Sequence, residues 1–406
     1  MPNLCANQIR ELGTSKEKSK KTILALTPDR FVYDLNILAA SDHFSVSRMP
    51  LYWQYAVMDL VEGKQYHLEN PKRCQLIVNF LLALKRVHNI DCVISACLWY
   101  RQDIPWAEAS TKAGIPFILL HKESLKTEKR QLEQTKIRSK QYGPFKGTHV
   151  VVHNERFRDA LIDSKYVNTS QITSLGAMRM DSLARKLTTK QNQSSQKRAV
   201  LFSFPHRADG VLSDEEMTGQ SGPFPDNPYL GWVRLFESTH SAFARAALAM
   251  PDAEFIIKLK WKEGWAERVE LALASNGLVL SKIPNLTIDI STNSHDLILD
   301  SRVVCGFNST TVLESGIFNK TVIIPRFDEA VRPGYVDVVK YPEAYHLFDV
   351  AESPEAFTDL IVERLQFQNP IDDDILRERR ECFEKLISPL DGRVSERYIE
   401  LIDRLT

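Results

Sequence analysis

Short apolar runs bounded by Gly, Pro or Asp recur through the first half of the chain. They are TILALTP (22–28), DCVISAC (91–97), PFILLHKE (116–123), THVVVHNE (148–155) and QITSLGAM (171–178). Near-continuous apolarity over so few residues predicts strands buried on both faces of a parallel sheet. Longer stretches with helical spacing separate them, so this half reads as doubly wound α/β. The second half repeats the pattern with AVLFSF (199–204), EFIIKLK (254–260), LTIDIS (286–291), RVVCGFN (302–308) and TVIIPRF (321–327). Helical patterns again lie between, as in WVRLFESTHSAFARAALAM (232–250) and SPEAFTDLIVERLQ (353–366).

The two halves meet at KLTTKQNQSSQKR (186–198), which loses its apolar residues and marks a connection. With 406 residues, two domains are expected. The expected order is a polar leader (1–20), a first Rossmann-like domain (21–185), the linker (186–198), and a second domain (199–371). Charged, periodic helices (372–406), joined at SPLDG (388–392), have no sheet partner of their own. The segment 205–231, rich in Gly, Pro, Asp and Ser, reads as a long loop, and loops of that length are usually functional or mobile.

Charge narrows the partners. Lys plus Arg and Asp plus Glu both number 52, so no overall field recruits nucleic acid or anionic lipid. Six scattered cysteines without CxxC pairs predict reduced core thiols. No apolar h-region opens the sequence and no eighteen apolar residues run together, so a cytoplasmic protein is expected. The Asn285 and Asn308 sequons then have no secretory route to glycosylation.

The candidate chemistry centres on GFNSTTVLESGIFNKTVIIP (306–325), where Asn308, Ser309, Thr310 and Thr311 sit between a strand pattern and a helix pattern. That is the ligand edge of an open α/β sheet, and free N–H groups with hydroxyls there suit a phosphate. The plainer alternative is an N-cap. Glu314 stands three residues after Thr311, which fits either a ribose contact or a capping-box partner of Thr311. HExxH, GxSxG, Walker A and GxGxxG motifs are absent, and no metal or cofactor is demanded.

Together with GAMRMDSL (176–183), GIPFILLHKES (114–124) and VVVHNERFRDALI (150–162), this stretch resembles the bacterial surface-carbohydrate and capsule biosynthesis proteins. These are GT-B-type glycosyltransferase-like chains, more distantly similar to CDP-glycerol glycerophosphotransferases. The resemblance covers roughly residues 90–330. It implies a GT-B-like α/β fold: two Rossmann-like domains facing a cleft, the second holding a nucleotide donor, and C-terminal helices crossing back to the first. It also implies that Ser309, Thr310 and Thr311 hold the donor phosphate, that Glu314 approaches the ribose, and that Arg179 and Asp181 lie near the cleft. Arg179 then pairs a phosphate or, with greater weight, forms a hinge ion pair with Asp181. The His-Pro pair of the relatives is replaced by Lys258, Lys260 and Trp261. A lysine can still serve as a point-charge ligand.

SFPHR places His206 and Arg207 after the first strand of the second half, where they either meet a diphosphate leaving group or anchor the long loop. LLHKES supplies Glu123 as the first candidate base and His121 as the second; Asp103, among Trp99, Tyr100 and Trp106, is the third. The expectation is a glycosyltransferase of surface or capsular polysaccharide assembly. Its donor is a nucleotide sugar, cytidine-linked by analogy with the relatives, and its acceptor a glycan or lipid-linked glycan. KEKSKK (16–21) permits weak peripheral contact with the inner membrane. The alternatives are a non-hydrolysing sugar-nucleotide epimerase and a non-catalytic binding module.

Overall fold

The computed structural model describes residues 10–12, 20–62, 70–122, 125, 128–188, 196–204, 231–260, 264–367 and 370–406. The chain divides into two compact units. The first comprises Met1–Lys126, Leu132–Thr188 and Lys385–Thr406, and the second Thr127–Gln131 and Thr189–Glu384.

The first unit is built on β1 (Arg10–Leu12), β2 (Lys21–Ala25), β3 (Phe44–Arg48), β4 (Ile90–Ser95), β5 (Phe117–Leu120), β6 (His149–Val152) and β7 (Ile172–Ser174). Their order is β1-β3-β2-β4-β5-β6-β7, with only β1 antiparallel to its neighbour. Five of these strands are the five apolar runs of the sequence. Side-chain alternation explains why the runs are unbroken. Leu24, Val93, Phe117, Leu119, Val150 and Val152 turn to one face and pack against Ile77, Leu81 and Trp106. Ile23, Ala25, Cys92, Ile94, Ile118, Leu120 and Val151 turn to the other. Each such large apolar side chain contributes about 1.5–3 kcal/mol by leaving water.

The second face is covered by Leu35, Leu38 and the chain's last helix, Val394–Leu405, through Val394, Tyr398, Leu401 and Ile402. Those spacings of four, three and one form a single helical stripe. The docking is pinned by polar contacts. Asp181, 2% exposed, accepts from the backbone N–H groups of Val394 (2.9 Å) and Ser395 (2.7 Å). Tyr398 donates its hydroxyl to the Gly176 carbonyl at 2.8 Å, and Ser388 accepts from the Ala177 N–H at 3.1 Å. Gly176 has φ +88°, and a Cβ there would stand 2.5 Å from Ser388 Oγ, so only glycine fits. The expected Arg179–Asp181 ion pair is therefore not what Asp181 does: its carboxylate caps the last helix. The expected crossing segment, 372–406, is divided between the units. Helix Asp373–Leu386 is tied within the second unit by Arg379, which donates to the Leu347 and Lys320 carbonyls.

The second unit is built on β8 (Arg198–Phe202), β9 (Glu254–Lys258), β10 (Leu286–Asp289), β11 (Val303–Gly306), β12 (Thr321–Pro325) and β13 (Asp349–Ala351). All are parallel, in the order β10-β9-β8-β11-β12-β13. Numbered within the unit this is 3-2-1-4-5-6, the doubly wound order of dinucleotide-binding sheets. Val200, Phe202, Ile256 and Val304 meet Leu297 and Ile298 on one face, while Ala199, Leu201, Phe255 and Ile257 are buried on the other. Among the described residues no helix is long and apolar enough to cross a membrane.

Asp181→Ala removes the acceptor for one buried and one partly buried N–H group. It is expected to lower unfolding free energy by about 1–2 kcal/mol, read as a lower urea midpoint at unchanged slope.

Candidate functional site

In the second unit β8 and β11 lie side by side, but the chain leaves them for opposite flanks of the sheet. Ligands of open α/β sheets bind outside the carboxyl ends at such a point. The register Phe202↔Gly306 sets Ser203 beside Phe307, so the turn Asn308, Ser309, Thr310, Thr311 stands at this crevice. All four are half-buried.

The turn is braced from one side. Asn308 adopts φ +51°, which asparagine tolerates better than most residues. Its side-chain amide donates to the Val338 carbonyl at 3.3 Å and its carbonyl accepts from Lys340 N–H at 2.8 Å. Tyr341, fully buried, donates its hydroxyl to the Ser309 carbonyl (2.7 Å) and accepts the Ser309 N–H (3.1 Å). The Tyr341 N–H in turn donates to Glu128 at 2.9 Å.

Ser309 is the N-cap of helix Thr310–Gly316 and has a second role. Its oxygen accepts from both the Thr311 N–H (3.3 Å) and the Thr311 hydroxyl (2.8 Å). Ser309 Oγ and Thr311 Oγ1 share one hydrogen bond, which leaves one hydroxyl hydrogen of the pair to donate elsewhere. The Thr311 hydroxyl is thus tied to the cap at 2.8 Å from Ser309 Oγ. Among the described residues the Thr310 hydroxyl makes no hydrogen bond. The Thr311–Glu314 capping box is not formed either. Glu314 falls past the helix's first turn, is 3% exposed, and places its carboxylate 3.4 Å from His295 Nε2.

Around this turn the carboxyl ends carry further polar groups. Ser203 donates to His240 Nε2 at 3.0 Å and accepts from Trp265 Nε1 at 3.2 Å, while His240 Nδ1 donates to the Phe236 carbonyl at 2.7 Å. Burial pushes His240 down to about 4, so the ring is neutral. Lys258, expected as a phosphate ligand, is 7% exposed and paired with Asp289 at 3.1 Å, so its charge is offset internally. Lys260 is exposed. His206, Arg207 and Trp261 lie outside the described residues.

In the first unit the corresponding crevice lies between β2 and β4, and it holds a buried polar cluster. Asp103, 2% exposed, accepts from the Thr27 hydroxyl (2.7 Å), the Gln54 amide (2.8 Å) and the Ser95 hydroxyl (2.6 Å). Thr27 carries φ +45°, a costly conformation for a β-branched residue. Burial pushes the Asp103 carboxyl up to about 6 against the pull of those three hydrogen bonds. Trp106 is buried in the core edge-on to Phe80, and Trp99 packs on Tyr142 and Tyr166, so these aromatics do not line an open sugar platform.

His121 corrects a second expectation. It is fully buried, its Nδ1 accepts from the Leu98 N–H at 3.4 Å, and its ring stacks on Phe157 with centroids 5.0 Å apart. Such a ring cannot reach an acceptor hydroxyl. Glu123 lies outside the described residues. Asp34, His153, Tyr341 and Glu329, which caps helix Val233–Ala249 through Arg234 and Leu235 N–H, went unnoticed in the sequence. For His153 a signal existed: it directly follows β6, just as His121 follows β5. Among the described residues no group of three or more His, Cys, Asp or Glu side chains is arranged to hold a metal.

No family model matches the chain, and no curated protein matches it. Solved structures do. The UDP-GlcNAc 2-epimerase from Neisseria meningitidis bound to UDP-GlcNAc aligns with TM-score 0.51 at 11% identity, covering 95% of this chain and 100% of that one. The UDP-GlcNAc 2-epimerase from Methanocaldococcus jannaschii gives TM-score 0.51 at 9% identity over 95% and 99%. The S. aureus MnaA-UDP co-structure gives 0.50 at 13% over 94% and 96%. The chain thus has the two-Rossmann-unit α/β fold of the GT-B type.

Two outcomes follow. A carboxyl whose folded pKa of about 6 exceeds the ordinary 3.8 holds its proton more tightly when folded, so its contribution to stability is present below about pH 4 and lost as pH rises through 6. Stability of Asp103→Asn relative to wild type is expected to rise by about 3 kcal/mol between pH 4 and pH 7 in denaturant titrations. Tyr341→Phe is expected to cost about 1–2 kcal/mol, with faster amide exchange at Ser309.

Proposed function

We propose that the protein is a glycosyltransferase that moves a sugar from a nucleotide-activated donor to a glycan acceptor in bacterial surface polysaccharide assembly. The observation that carries this reading is the hydroxyl-bearing turn at the crevice between β8 and β11 of a sheet wound 3-2-1-4-5-6. Ser309 and Thr310 are the proposed hydroxyl donors to the donor's phosphate. Their positions are fixed before ligand arrives, so little ordering cost attends binding. Arg207 and His206 are the proposed partners of the leaving diphosphate and Glu123 the proposed base.

Transfer needs two substrates, and each sheet offers its own crevice at a reversal of strand order, the second for the donor and the first for the acceptor. The four quoted stretches resembling surface-carbohydrate enzymes support the same reading. A second reading, epimerisation of a nucleotide sugar, is supported by the likeness in fold to the UDP-GlcNAc 2-epimerases. Membrane contact through the basic leader is weakened as a proposal: Lys20 and Lys21 pair with Asp42 (3.6 Å) and Asp403 (2.9 Å).

A screen of uridine and cytidine nucleotides and their sugars tests the donor. A ligand at a hundredfold its Kd is expected to stabilise the protein by about 2.7 kcal/mol. Ser309→Ala should weaken that ligand at least tenfold, whereas Thr311→Val should lower stability with a smaller effect on affinity. Incubation with the stabilising sugar nucleotide and no acceptor decides the reaction: an epimerised product replaces the transferase reading, and binding without turnover under any acceptor leaves a binding module.

A further inference from the structure

Three titratable side chains of the first unit converge at the carboxyl edge of its sheet without being paired. Arg179 follows β7, His153 follows β6, and Asp34 lies on helix Val32–Ala40, which follows β2. All three are half-buried. Arg179 acts electrostatically on Asp34 and on His153, and Lys122, just past β5, acts on Asp34 as well. Yet among the described residues no hydrogen bond or ion pair engages the Arg179 guanidinium, the Asp34 carboxyl or the His153 ring.

The loops that present Arg179 and His153 are tied to the C-terminal segment. The β7 loop is held by Tyr398 on the Gly176 carbonyl and by Ser388 on the Ala177 N–H. The β6 loop is held by Asn154, whose amide donates to the Leu386 carbonyl at 3.1 Å. The Lys122 ammonium donates to the Arg30 carbonyl. A half-buried guanidinium with a cation nearby and, among the described residues, no carboxylate within 4 Å is suited to planar, bidentate recognition of an anion.

We infer that Arg179, with Lys122 and His153, forms a phosphate-binding subsite on the first unit that takes a phosphate group of the acceptor, and this rests on the transferase reading above. Burial raises the carboxyl of neighbouring Asp34 above the ordinary range, against Arg179 and Lys122, which lessens its repulsion of such a guest. Burial and Arg179 push His153 down to about 3, leaving a neutral imidazole with one N–H to offer. The guest is recognised as a phosphate, whether carried by a sugar phosphate or by a lipid headgroup.

The test titrates glucose 1-phosphate, and separately vesicles of phosphatidic acid in phosphatidylcholine, into the full chain saturated with whichever nucleotide stabilises it. Should no nucleotide bind, the same titrations proceed on the free protein, which separates failure of the donor reading from failure of this one. Wild type is expected to bind one of the two probes. Arg179→Ala should weaken that binding at least tenfold with nucleotide affinity unchanged, and Arg179→Lys should recover part of it. Asp34→Asn should bind at least as tightly as wild type. Circular dichroism and melting midpoints of the variants check folding. Binding of glucose 1-phosphate assigns a soluble acceptor and binding of vesicles alone a lipid-borne one. Neither probe binding, an affinity indifferent to Arg179→Ala, or an equal loss of nucleotide affinity would overturn the inference.

Discussion

Both sheets are buried on both faces, and most of what the protein offers to chemistry follows from that. A strand covered on two sides has no place for an unpaired polar side chain, because taking such a group from water without a partner costs several kcal/mol. Polar groups are therefore driven to the strand ends. Lys258 and Asp289 close β9 and β10 as a pair, Ser203 stands after β8, Asn308 and Ser309 after β11, His153 after β6 and Arg179 after β7. The carboxyl edges become polar by exclusion from the core.

The crevices where strand order reverses concentrate this effect. Both are marked by a residue other than glycine with positive φ, Thr27 after β2 and Asn308 after β11. Each is held by side chains from distant segments: Asp103 and Gln54 fix Thr27, while Val338, Lys340 and Tyr341 fix the turn beginning at Asn308. Conformations of this kind persist only where surroundings over-determine them. The outcome at the second crevice is a bonded pair of hydroxyls, Ser309 and Thr311, with one hydroxyl hydrogen between them left over, an arrangement suited to an anionic guest.

The C-terminal segment supplies the other organising contact. The last helix seals one face of the first sheet with Val394, Tyr398, Leu401 and Ile402, and Asp181 receives its first two N–H groups. The same segment, through Leu386, Ser388 and Tyr398, steadies the loops that present His153 and Arg179. One helix thereby completes the core of the first unit and stiffens its polar edge.

The sequence by itself determined the class of fold, ten of the strands and the placement of the Asn308, Ser309, Thr310, Thr311 turn. All are local patterns of apolar runs and turn residues, which the backbone period converts directly into structure. It left β1, β3 and β13 unannounced, since REL and DVA are only three residues long and FSVSR alternates with serines. Only the tertiary structure decided which polar groups are free. Asp181 meets its partners 213 and 214 residues away, Tyr341 reaches Ser309 across 32, and His121 vanishes against Phe157. A hydroxyl or carboxylate reads the same in sequence whether it is satisfied internally or turned to a ligand; the difference lies in contacts that chain folding alone brings together.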